Sequence, residues 1–561
     1  MNEKITQIVR RLFDTDATVK LTRPDAAFGD YTTNVALQIA KLLGKTPREV
    51  ADRLKAALLE TGDFLSVEIA GPGFINLRVS AASLAKNLED NWSERYGENK
   101  DGENKTVVVE FPSPNMAKPY SVGHLRPGNQ GWAVKRLMEA NGWKVITDNH
   151  LGDYGAPFGI WVTGFLKFSS EEALERDGVY ELGRVYVETK KALKDETERD
   201  ETALADEVQN WLLKLEQGDE RAKDYSARFN KISLEHIHTV MNRLKISTDY
   251  ELGEAFFAAQ GKAVVQQLLD KSVAVKNDDN SIIVPLEEYG FEVPLLVQKS
   301  NGAALYATTD LATILYREDN WHPDRVIYCV GAEQQFYFKQ LFAMAKKLGI
   351  KTDLYHLWFG TIDQMNDDGT REKMSSRKGV VLMEELLDKA ELKAREVVGE
   401  RAISGVDISK IALGAIKFSD FISDRRTNIL FDWSSIFALA GFSGPYIQYA
   451  AVRVNKLLGD NSDTQEASSD SVYDYEPEKT IILKLLEYPE VISLAARDLE
   501  PHKAATYLYE LAREMNRYYE TTRIVDSPEM EKSARIGLLQ KVAQVFSHGL
   551  GLLGIEVPTQ M

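Results

Sequence analysis

Residues 106–124 read TVVVEFPSPNMAKPYSVGH, and this stretch decides the fold of the chain. The apolar, β-branched run at residues 106–111 predicts a buried strand. A loop broken by prolines follows, and a helix is expected to begin near Gly123. A second strand is predicted at residues 143–147, WKVIT. Strand, loop, helix and strand in this order form the βαβ unit of a doubly wound parallel sheet.

The remaining sequence predicts a multidomain chain with α/β and all-α parts. Residues 1–90 alternate helical and strand patterns and predict a small N-terminal α/β domain. A Rossmann-type domain with the doubly wound parallel sheet is expected at residues 105–433. Within it, the strongly charged helical stretch at about residues 169–230 is interpreted as an insertion with solvated faces. Residues 434–561 are almost entirely helical in pattern and predict a C-terminal helical bundle.

Composition and cysteine usage limit the classes of protein to which this chain can belong. The 561 residues include 68 lysines and arginines against 85 aspartates and glutamates, which gives a formal net charge of −17. This acidic balance leaves the partner open, because a basic docking face can be local. Cys329 is the only cysteine, which excludes a disulfide framework and fits a reducing compartment. With no signal-peptide pattern and no membrane-length apolar run, a cytoplasmic protein without a membrane partner is expected.

Three segments contain residue types that suit phosphate or ligand binding. Gly123 and His124 start a helix, whose free N–H groups favour phosphate, although a histidine there is often structural. Residues 371–379, REKMSSRKG, form either a cationic polyphosphate loop or an ordinary solvated basic loop. Residues 149–155, NHLGDYG, form either a capped turn or part of a site at the end of a strand.

Taken in order, these motifs resemble those of class I aminoacyl-tRNA synthetases, and most closely those of the arginyl-tRNA synthetases. Residues 28–36, FGDYTTNVA, and 70–76, AGPGFIN, resemble the N-terminal tRNA-elbow domain of that family. Residues 444–450, GPYIQYA, resemble the start of its anticodon domain. The resemblance implies that arginine and ATP form arginyl-adenylate, from which the arginyl group passes to tRNA(Arg). It also implies tRNA-dependent activation, and a monomer as the usual form.

An arginine pocket calls for carboxylates, because a guanidinium is planar and always charged. Glu110, at the end of the first strand, is one candidate and Asp310 is the other. Tyr306 and Asp310 are four residues apart, so on a helix they share one face, and they match the guanidinium-binding pair of the family. Asn115 and Gln334 match the positions that hold the α-amino end. For any one carboxylate, the alternative is a surface salt bridge.

The resemblance places ATP over the start of the helix, with Glu333 near the ribose or, alternatively, capping a helix. The residues expected to bind ATP are Gly123, His124, Gly331, Glu333, Lys373 and Met374. Catalysis is expected to come from orientation and electrostatic stabilisation, with Mg²⁺ neutralising phosphate charge and with no zinc or other resident metal. The catalytic residues that the motifs imply are Lys118, Ser121, Gly123, His124, Lys373, Ser375, Ser376 and Lys378.

Two positions depart from the motifs of the family. Ser121 stands where the first motif usually begins with histidine, and Ser376 stands where the second motif usually has lysine. Loss of one transition-state donor costs roughly 2–4 kcal/mol in oxyanion sites. Lys118 is predicted to supply the missing charge, with Lys378 as a lesser candidate. The departures raise the alternative of a catalytically silent tRNA-binding paralogue, whereas the acidic pocket disfavours another class I synthetase such as the cysteine enzyme.

Contacts with tRNA are expected in both terminal parts of the chain. The C-terminal part interleaves aromatic residues with polar and basic ones, which suits stacking on unpaired bases, although at least half are expected to be buried. These candidates are Tyr446, Gln448, Tyr449, Arg453, Asn516, Arg517, Tyr518 and Tyr519. Arg425 and Arg426 are expected at stem phosphates, and Tyr31 and Asn34 are expected to contact tRNA from the N-terminal domain.

Overall fold

The computed structural model describes residues 1–302, 305–366, 369–374, 381–399, 408–460 and 476–561. The chain divides into two compact units. The first unit contains residues 1–97, 449–491 and 507–548, and the second contains residues 98–448, 492–506 and 549–561. The domain boundaries given above, at residues 90, 105 and 433, stay a prediction.

Within the described residues, helices predominate over strands. The α-helices are α1 (Asn2–Phe13), α2 (Val35–Ala40), α3 (Pro47–Leu59), α4 (Ala81–Asn91), α5 (Leu125–Ala140), α6 (Ala156–Phe168), α7 (Glu171–Asp177), α8 (Val179–Glu198), α9 (Ala203–Glu216), α10 (Glu220–Arg243), α11 (Glu254–Ala258), α12 (Gly261–Asp270), α13 (Tyr306–Trp321), α14 (Gln335–Leu348), α15 (Met383–Val398), α16 (Ile408–Ser419), α17 (Trp433–Ile436), α18 (Gly444–Gly459), α19 (Glu476–Asp498), α20 (His502–Thr521) and α21 (Glu529–Leu552). The strands are β1 (Tyr31–Thr33), β2 (Phe64–Ala70), β3 (Phe74–Val79), β4 (Thr106–Glu110), β5 (Lys144–Asp148), β6 (Val275–Lys276), β7 (Ile282–Val284), β8 (Leu295–Gln298), β9 (Arg325–Tyr328), β10 (Asp353–His356), β11 (Ile362–Met365), β12 (Arg371–Lys373) and β13 (Ile429–Leu430). Short 3₁₀ helices lie at Ala26–Phe28, Val122–His124, Glu287–Tyr289 and Ala332–Gln334.

A four-stranded parallel sheet organises the second unit, with the strand order β10-β9-β4-β5. The predicted buried strand forms β4, where Val107, Val108 and Val109 are fully buried. The predicted helix follows it as the 3₁₀ turn and α5, and the next strand, β5, pairs with β4 in parallel. The prediction of a Rossmann-type catalytic domain is therefore confirmed, and the carboxyl ends of all four strands meet at one edge.

A second layer beside this sheet carries α13, the helix predicted to bind the arginine side chain. The antiparallel strands β6, β7 and β8 form a small separate sheet. One continuous core joins that sheet, α13, α14 and β9, and it includes Val297, Leu311, Val326 and Met344. This apolar packing fixes the polar face of α13 relative to the parallel strands.

The charged stretch after residue 169 forms the helices α7 to α10, and the last of them continues to Arg243. The helices α8 and α9 both pack against α6. Residues 171–243 are called the insertion below. Among the helices that the structure describes, none combines the length and apolarity that a membrane span requires.

The first unit contains a small antiparallel sheet in the order β1-β3-β2, and the predicted N-terminal α/β domain is confirmed. Its FGDY turn is anchored by Asp30, whose carboxylate accepts a hydrogen bond from Val79 N at 2.7 Å and forms an ion pair with Lys479 Nζ at 2.9 Å. Gly29 adopts a φ of +136°, and a Cβ there would lie 2.8 Å from the Leu77 carbonyl oxygen. Only glycine fits this turn without strain. The C-terminal helices confirm the predicted all-α part.

Candidate active site

A cleft opens at the carboxyl edge of the parallel sheet. It is lined by the loop after β4, the start of α5, the loop after β9 and the end of β12. All six residues predicted to bind ATP line this one cleft: Gly123, His124, Gly331, Glu333, Lys373 and Met374. They come from three separate stretches of sequence, and the sheet topology brings those stretches together.

His124 and Ser121 contact each other at the start of α5. The Ser121 N–H donates to His124 Nδ1 at 3.2 Å, and Ser121 Oγ lies 3.4 Å from the same nitrogen. Because Nδ1 accepts a hydrogen bond, the neutral ring carries its proton on Nε2. Burial lowers the pKa of His124 to about 4. The ring is therefore a neutral hydrogen-bond donor at pH 7.

Glu333 lies on the opposite wall of the cleft. A Cβ built on Gly331 would lie 2.5 Å from Glu333 Oε2, so the carboxylate folds back over that glycine. The short helix Ala332–Gln334 has no side-chain cap hydrogen bond at its start. Glu333 itself is exposed. The structure thus gives no capping role to this carboxylate and leaves it facing the cleft.

Asp310 occupies a second polar cluster near the same edge of the sheet. The Tyr337 hydroxyl donates to Asp310 Oδ2, and His150 Nε2 lies 3.9 Å from Asp310 Oδ1. Burial raises the pKa of the Asp310 carboxyl, although both of these neighbours act in the opposite direction. Tyr306 lies one turn earlier on α13 and is 63% exposed, so the hydroxyl-bearing ring stands at the mouth of this cluster.

Glu254, the first residue of α11, joins this cluster and was not predicted. Burial is the main cause that raises its pKa to about 7; His150 acts in the opposite direction, and the nearby Asp310 and Asp153 carboxylates act in the same direction as burial. The segment before it is tied to β5, because Thr147 N donates to Asp249 Oδ2 at 2.8 Å. No motif marks Glu254. It reaches the site only because a distant segment docks on the strand end.

Glu110 lies at the predicted strand end, but the cation that it contacts is a side chain of the protein itself. Arg317 Nη2 donates to Glu110 Oε2 and to Asp148 Oδ2, each at 2.7 Å, and all three side chains are buried. One guanidinium is therefore shared by two buried carboxylates and offsets one of their two negative charges. Arg317 contacts one of the two carboxylate oxygens of Glu110, and direct binding of the substrate guanidinium by Glu110 stays a prediction.

Asn115 and Gln334 lie in the loops after β4 and β9. A Cβ at Gly152 would lie 2.5 Å from Asn115 Oδ1, so glycine in the NHLGDYG segment allows Asn115 its position. Backbone hydrogen bonds connect the loop after β4 to the segment after β5, with Met116 N donating to the Gly152 carbonyl at 3.1 Å. Gln334 is exposed at the end of its short helix. Contact of either residue with arginine stays a prediction.

Lys118 lies beside the cleft and does not line it. Its Nζ is 4.6 Å from the centre of the Tyr186 ring. Its positive charge is a minor cause of the low pKa of His124, which places it close to the start of α5. The predicted catalytic residues Ser375, Ser376 and Lys378 lie outside the described residues.

Four residues predicted to contact tRNA form one cluster in the first unit. The Arg453 guanidinium stacks over Tyr449 at 4.4 Å and over Tyr519 at 5.0 Å, and its Nη1 donates to Asn516 Oδ1 at 3.2 Å. Tyr519 is 43% exposed. Of the eight C-terminal candidates only Gln448 and Tyr518 are buried, so the expectation that at least half are buried was wrong.

Arg425 does not reach the surface, which contradicts its predicted contact with stem phosphates. It is 2% exposed. Its guanidinium donates to the carbonyl oxygens of Trp358 and Leu499 and to the Tyr355 hydroxyl. These bonds use its donors to hold together loops of the second unit. A buried arginine that satisfies backbone carbonyls stabilises the fold and has no free face for a phosphate.

Gln448 likewise has a structural role in place of the predicted contact with tRNA. It is fully buried, and its Nε2 donates to the carbonyl oxygens of Lys410 at 3.0 Å and Glu556 at 2.8 Å. Gly414 packs directly against its amide. The neighbouring Tyr446 is half-buried, and its contact with tRNA stays a prediction.

Arg426 is exposed but is held by two carboxylates. Its Nε donates to Asp424 Oδ1 at 2.7 Å, and its Nη2 contacts Glu500 Oε1 at 2.6 Å. Asp424, Glu500 and His502 are close enough together to suit a metal ion. Because the Arg426 guanidinium already bridges both carboxylates, this cluster has its counter-charge from the protein.

Tyr31 and Asn34 flank the start of α2 in the first unit. The Arg23 guanidinium lies 5.1 Å from the centre of the Tyr31 ring, and burial raises the pKa of the Tyr31 hydroxyl. Asn34 is exposed, and its Oδ1 accepts a hydrogen bond from Gln38 Nε2 at 2.8 Å. Both side chains stay predicted contacts with tRNA.

Comparison with known proteins gives matches over nearly the whole chain. The catalytic domain of class I tRNA synthetases (R) matches residues 89–433, the arginyl tRNA synthetase N terminal domain matches residues 1–79, and the DALR anticodon binding domain matches residues 447–561. A protein of Fusobacterium nucleatum named arginine–tRNA ligase is 32% identical over 549 residues, which are 95% of this chain and 94% of that protein. One of Clostridium botulinum with the same name is 33% identical over 575 residues, covering 100% of this chain and 99% of its own.

Solved structures agree with these matches at the level of the fold. The structure of Thermus thermophilus arginyl-tRNA synthetase covers 100% of this chain and 99% of its own, with a TM-score of 0.82 and 22% identity. The family assignment rests on two findings. One family model spans more than half of the chain, and relatives above 30% identity match it along nearly its full length. The chain belongs to the arginyl-tRNA synthetase family.

Proposed function

We propose that this chain joins L-arginine to tRNA(Arg) through an arginyl-adenylate, with the guanidinium bound between Asp310 and Glu254. An arginine–tRNA ligase activity follows from membership of the family, and the relatives described above give no support to a catalytically silent paralogue. The observation that carries the residue-level proposal is the pair of partly buried carboxylates at the carboxyl edge of the sheet.

The electrostatics of the pair favour a cationic side chain. Burial raises the pKa of both Asp310 and Glu254, which means that their ionised forms lack full compensation from the protein. A bound guanidinium would supply that compensation and could bond to both carboxylates. Tyr306 would close the mouth of this pocket. Glu110 would add less to this attraction, because Arg317 already pairs with it and with Asp148.

The adjacent cleft suits the nucleotide, bound as MgATP. In the first step, a carboxylate oxygen of arginine attacks the α-phosphorus, the bond to the bridging oxygen breaks, and diphosphate leaves. The neutral His124 would donate from Nε2 to a phosphate oxygen, while Lys373 and Lys118 would offset the negative charge of the transition state. Mg²⁺ that arrives on the phosphates would share this neutralisation. No protein nucleophile is required.

In the second step, a hydroxyl of the terminal ribose of tRNA attacks the arginyl carbonyl, and AMP leaves. Tyr449 and Tyr519, held by Arg453, would offer stacking faces to unpaired anticodon bases, and Asn516 would offer an amide edge. We further propose that activation of arginine depends on bound tRNA. A monomer in the cytoplasm is proposed on the resemblance and on the lone, buried Cys329.

The test is arginine-dependent exchange between ATP and diphosphate, measured with and without a tRNA(Arg) transcript. Exchange is expected with the transcript only. Asp310→Asn should raise the KM for arginine about 30-fold or more, because truncating a charge pair of this kind costs roughly 2–5 kcal/mol, while the KM for ATP stays near that of the wild type. Asp353→Asn, which removes a carboxylate from the same sheet in a surface pair, is the matched control.

Two outcomes would contradict the proposal. An unchanged arginine KM in Asp310→Asn would remove the guanidinium from this pocket. Absence of exchange under both conditions, in a protein that still binds the transcript, would favour the silent paralogue. Exchange without the transcript would retain the ligase and refute the dependence on tRNA.

A further inference from the structure

The segment that carries Lys118 has a strained backbone that the insertion holds in place. Ala117 has a φ of +51°, in the left-handed region that non-glycine residues rarely adopt. Its N–H donates to Ser233 Oγ at 2.8 Å, and that hydroxyl in turn donates to the Phe229 carbonyl one turn earlier on α10. Ser233 is buried. The helix α10 therefore fixes the residue immediately before Lys118.

The residues immediately after Lys118 also contact the insertion. Tyr120 N donates to His236 Nε2 at 3.0 Å, three residues beyond Ser233 on the same helix. On the other helix, a Cβ at Gly183 would lie 2.9 Å from Pro119 Cδ, so α8 packs closely against the segment. The insertion thus contacts the chain on both sides of Lys118, directly before the residues that start α5.

The Lys118 side chain is held by an aromatic ring. Its Nζ lies 4.6 Å from the centre of the Tyr186 ring on α8, and Lys190, one turn further on, lies 5.8 Å from the same centre. Among the residues that the structure describes, no carboxylate forms an ion pair with Lys118. Burial lowers the pKa of Lys118, and Lys190 contributes in the same direction.

The contact of Lys118 with an aromatic ring, and not with a carboxylate, affects how it can bind phosphate. A carboxylate beside Lys118 would neutralise it and compete with an incoming phosphate. The face of a tyrosine ring attracts an ammonium without cancelling its charge. The orientation of the Lys118 side chain can thus be fixed while its ammonium keeps the positive charge that binds a polyphosphate.

We propose that Tyr186 is a positioning residue, through which the helical insertion holds the Lys118 ammonium ready for the phosphates of ATP. This inference rests on the role proposed above for Lys118 in activation. It assigns the insertion a part in the first step of the reaction, although none of its residues lines the described ATP cleft.

The experiment compares Tyr186→Leu, Tyr186→Phe and Lys118→Ala in ATP–diphosphate exchange with the tRNA transcript present. Tyr186→Leu should lower kcat/KM for ATP by roughly 2- to 30-fold, the range expected for loss of a cation–π contact. Tyr186→Phe keeps the ring and should restore most of the activity. Tyr225→Leu removes another half-buried tyrosine from the same insertion and should keep the ATP parameters of the wild type.

A double-mutant cycle separates positioning from a general packing effect. If Tyr186 acts through Lys118, adding Tyr186→Leu to Lys118→Ala should lower activity no further. An additional loss in the double variant, or wild-type ATP parameters in Tyr186→Leu beside an impaired Lys118→Ala, would overturn the inference alone. Near-normal exchange by Lys118→Ala would instead refute the proposed role of Lys118, and the inference would fall with it.

Discussion

Replacing Arg317 by methionine should destabilise the second unit by about 3–5 kcal/mol. The guanidinium is fully buried and bonds at 2.7 Å to both Glu110 and Asp148, which are themselves buried. Without it, two carboxylates would remain in the interior with no positive partner, and removal of one partner from a buried pair costs about that amount. Methionine keeps much of the side-chain length, so the loss reports charge more than volume.

The assay is urea denaturation followed by tryptophan fluorescence, with Arg325→Met as the matched control. Arg325 lies on β9 and pairs with Asp353 at 2.6 Å, but these side chains are 28% and 53% exposed. An exposed pair contributes about 0–1 kcal/mol. The variant that combines Arg317→Met with Glu110→Gln and Asp148→Asn should recover much of the stability, because it buries no unpaired charge.

Equal effects of Arg317→Met and Arg325→Met would refute the reasoning. Such a result would mean that Arg317 does not compensate the two strand-end carboxylates in solution. The predicted contact of Glu110 with the substrate guanidinium would then have no competing partner within the protein. Measurement of the arginine KM in Glu110→Gln would follow directly from that outcome.

Three further predictions concern the substrates. Because burial raises the pKa of Glu254 to about 7, its carboxyl is largely protonated at pH 6 and ionised at pH 8. The KM for arginine should therefore fall between pH 6 and pH 8. Glu254→Gln should flatten this pH dependence, and an unaltered pH profile in that variant would exclude Glu254 from the pocket. Gly152→Ala should raise the arginine KM, because its Cβ would displace Asn115, whereas Gly537→Ala, in open space, should not. Arg453→Met should raise the KM for tRNA several-fold by releasing the two stacked tyrosines, while the KM for arginine stays unchanged. If the variant bound tRNA as tightly as the wild type, this cluster would not be part of the tRNA interface.

The sequence predicts those parts of the site that depend on local structure. A β-branched run followed by a helix start specifies β4, α5 and the edge of the sheet where ligands bind. Gly123 and Gly331 lie in segments that follow the parallel strands β4 and β9, so the parallel topology brings both to one cleft, and Lys373 reaches it from the separate strand β12. Their roles can therefore be inferred before their neighbours are known.

Tertiary pairing decides the rest of the site, and the sequence carries no sign of it. Arg425 and Gln448 look like surface contacts until the carbonyl oxygens that accept their hydrogen bonds are known. Glu254 gains its role from a segment that docks on β5 more than one hundred residues earlier in the chain. Arg317 looks like one more polar residue on a helix, yet it gives Glu110 a buried partner within the protein.

The pairing of Arg317 with Glu110 and Asp148 bears on an electrostatic problem posed by the two substrates. A guanidinium pocket needs carboxylates, whereas a polyphosphate site must avoid them, and both lie at the carboxyl edge of one sheet. Glu110 ends the strand from which the loop to the ATP cleft departs. By pairing with Glu110 and Asp148, Arg317 offsets one of the two negative charges at that point. The carboxylates proposed to bind the guanidinium, Asp310 and Glu254, come from other elements of the unit, so we expect arginine to be attracted with less repulsion of the phosphates that its carboxylate must attack.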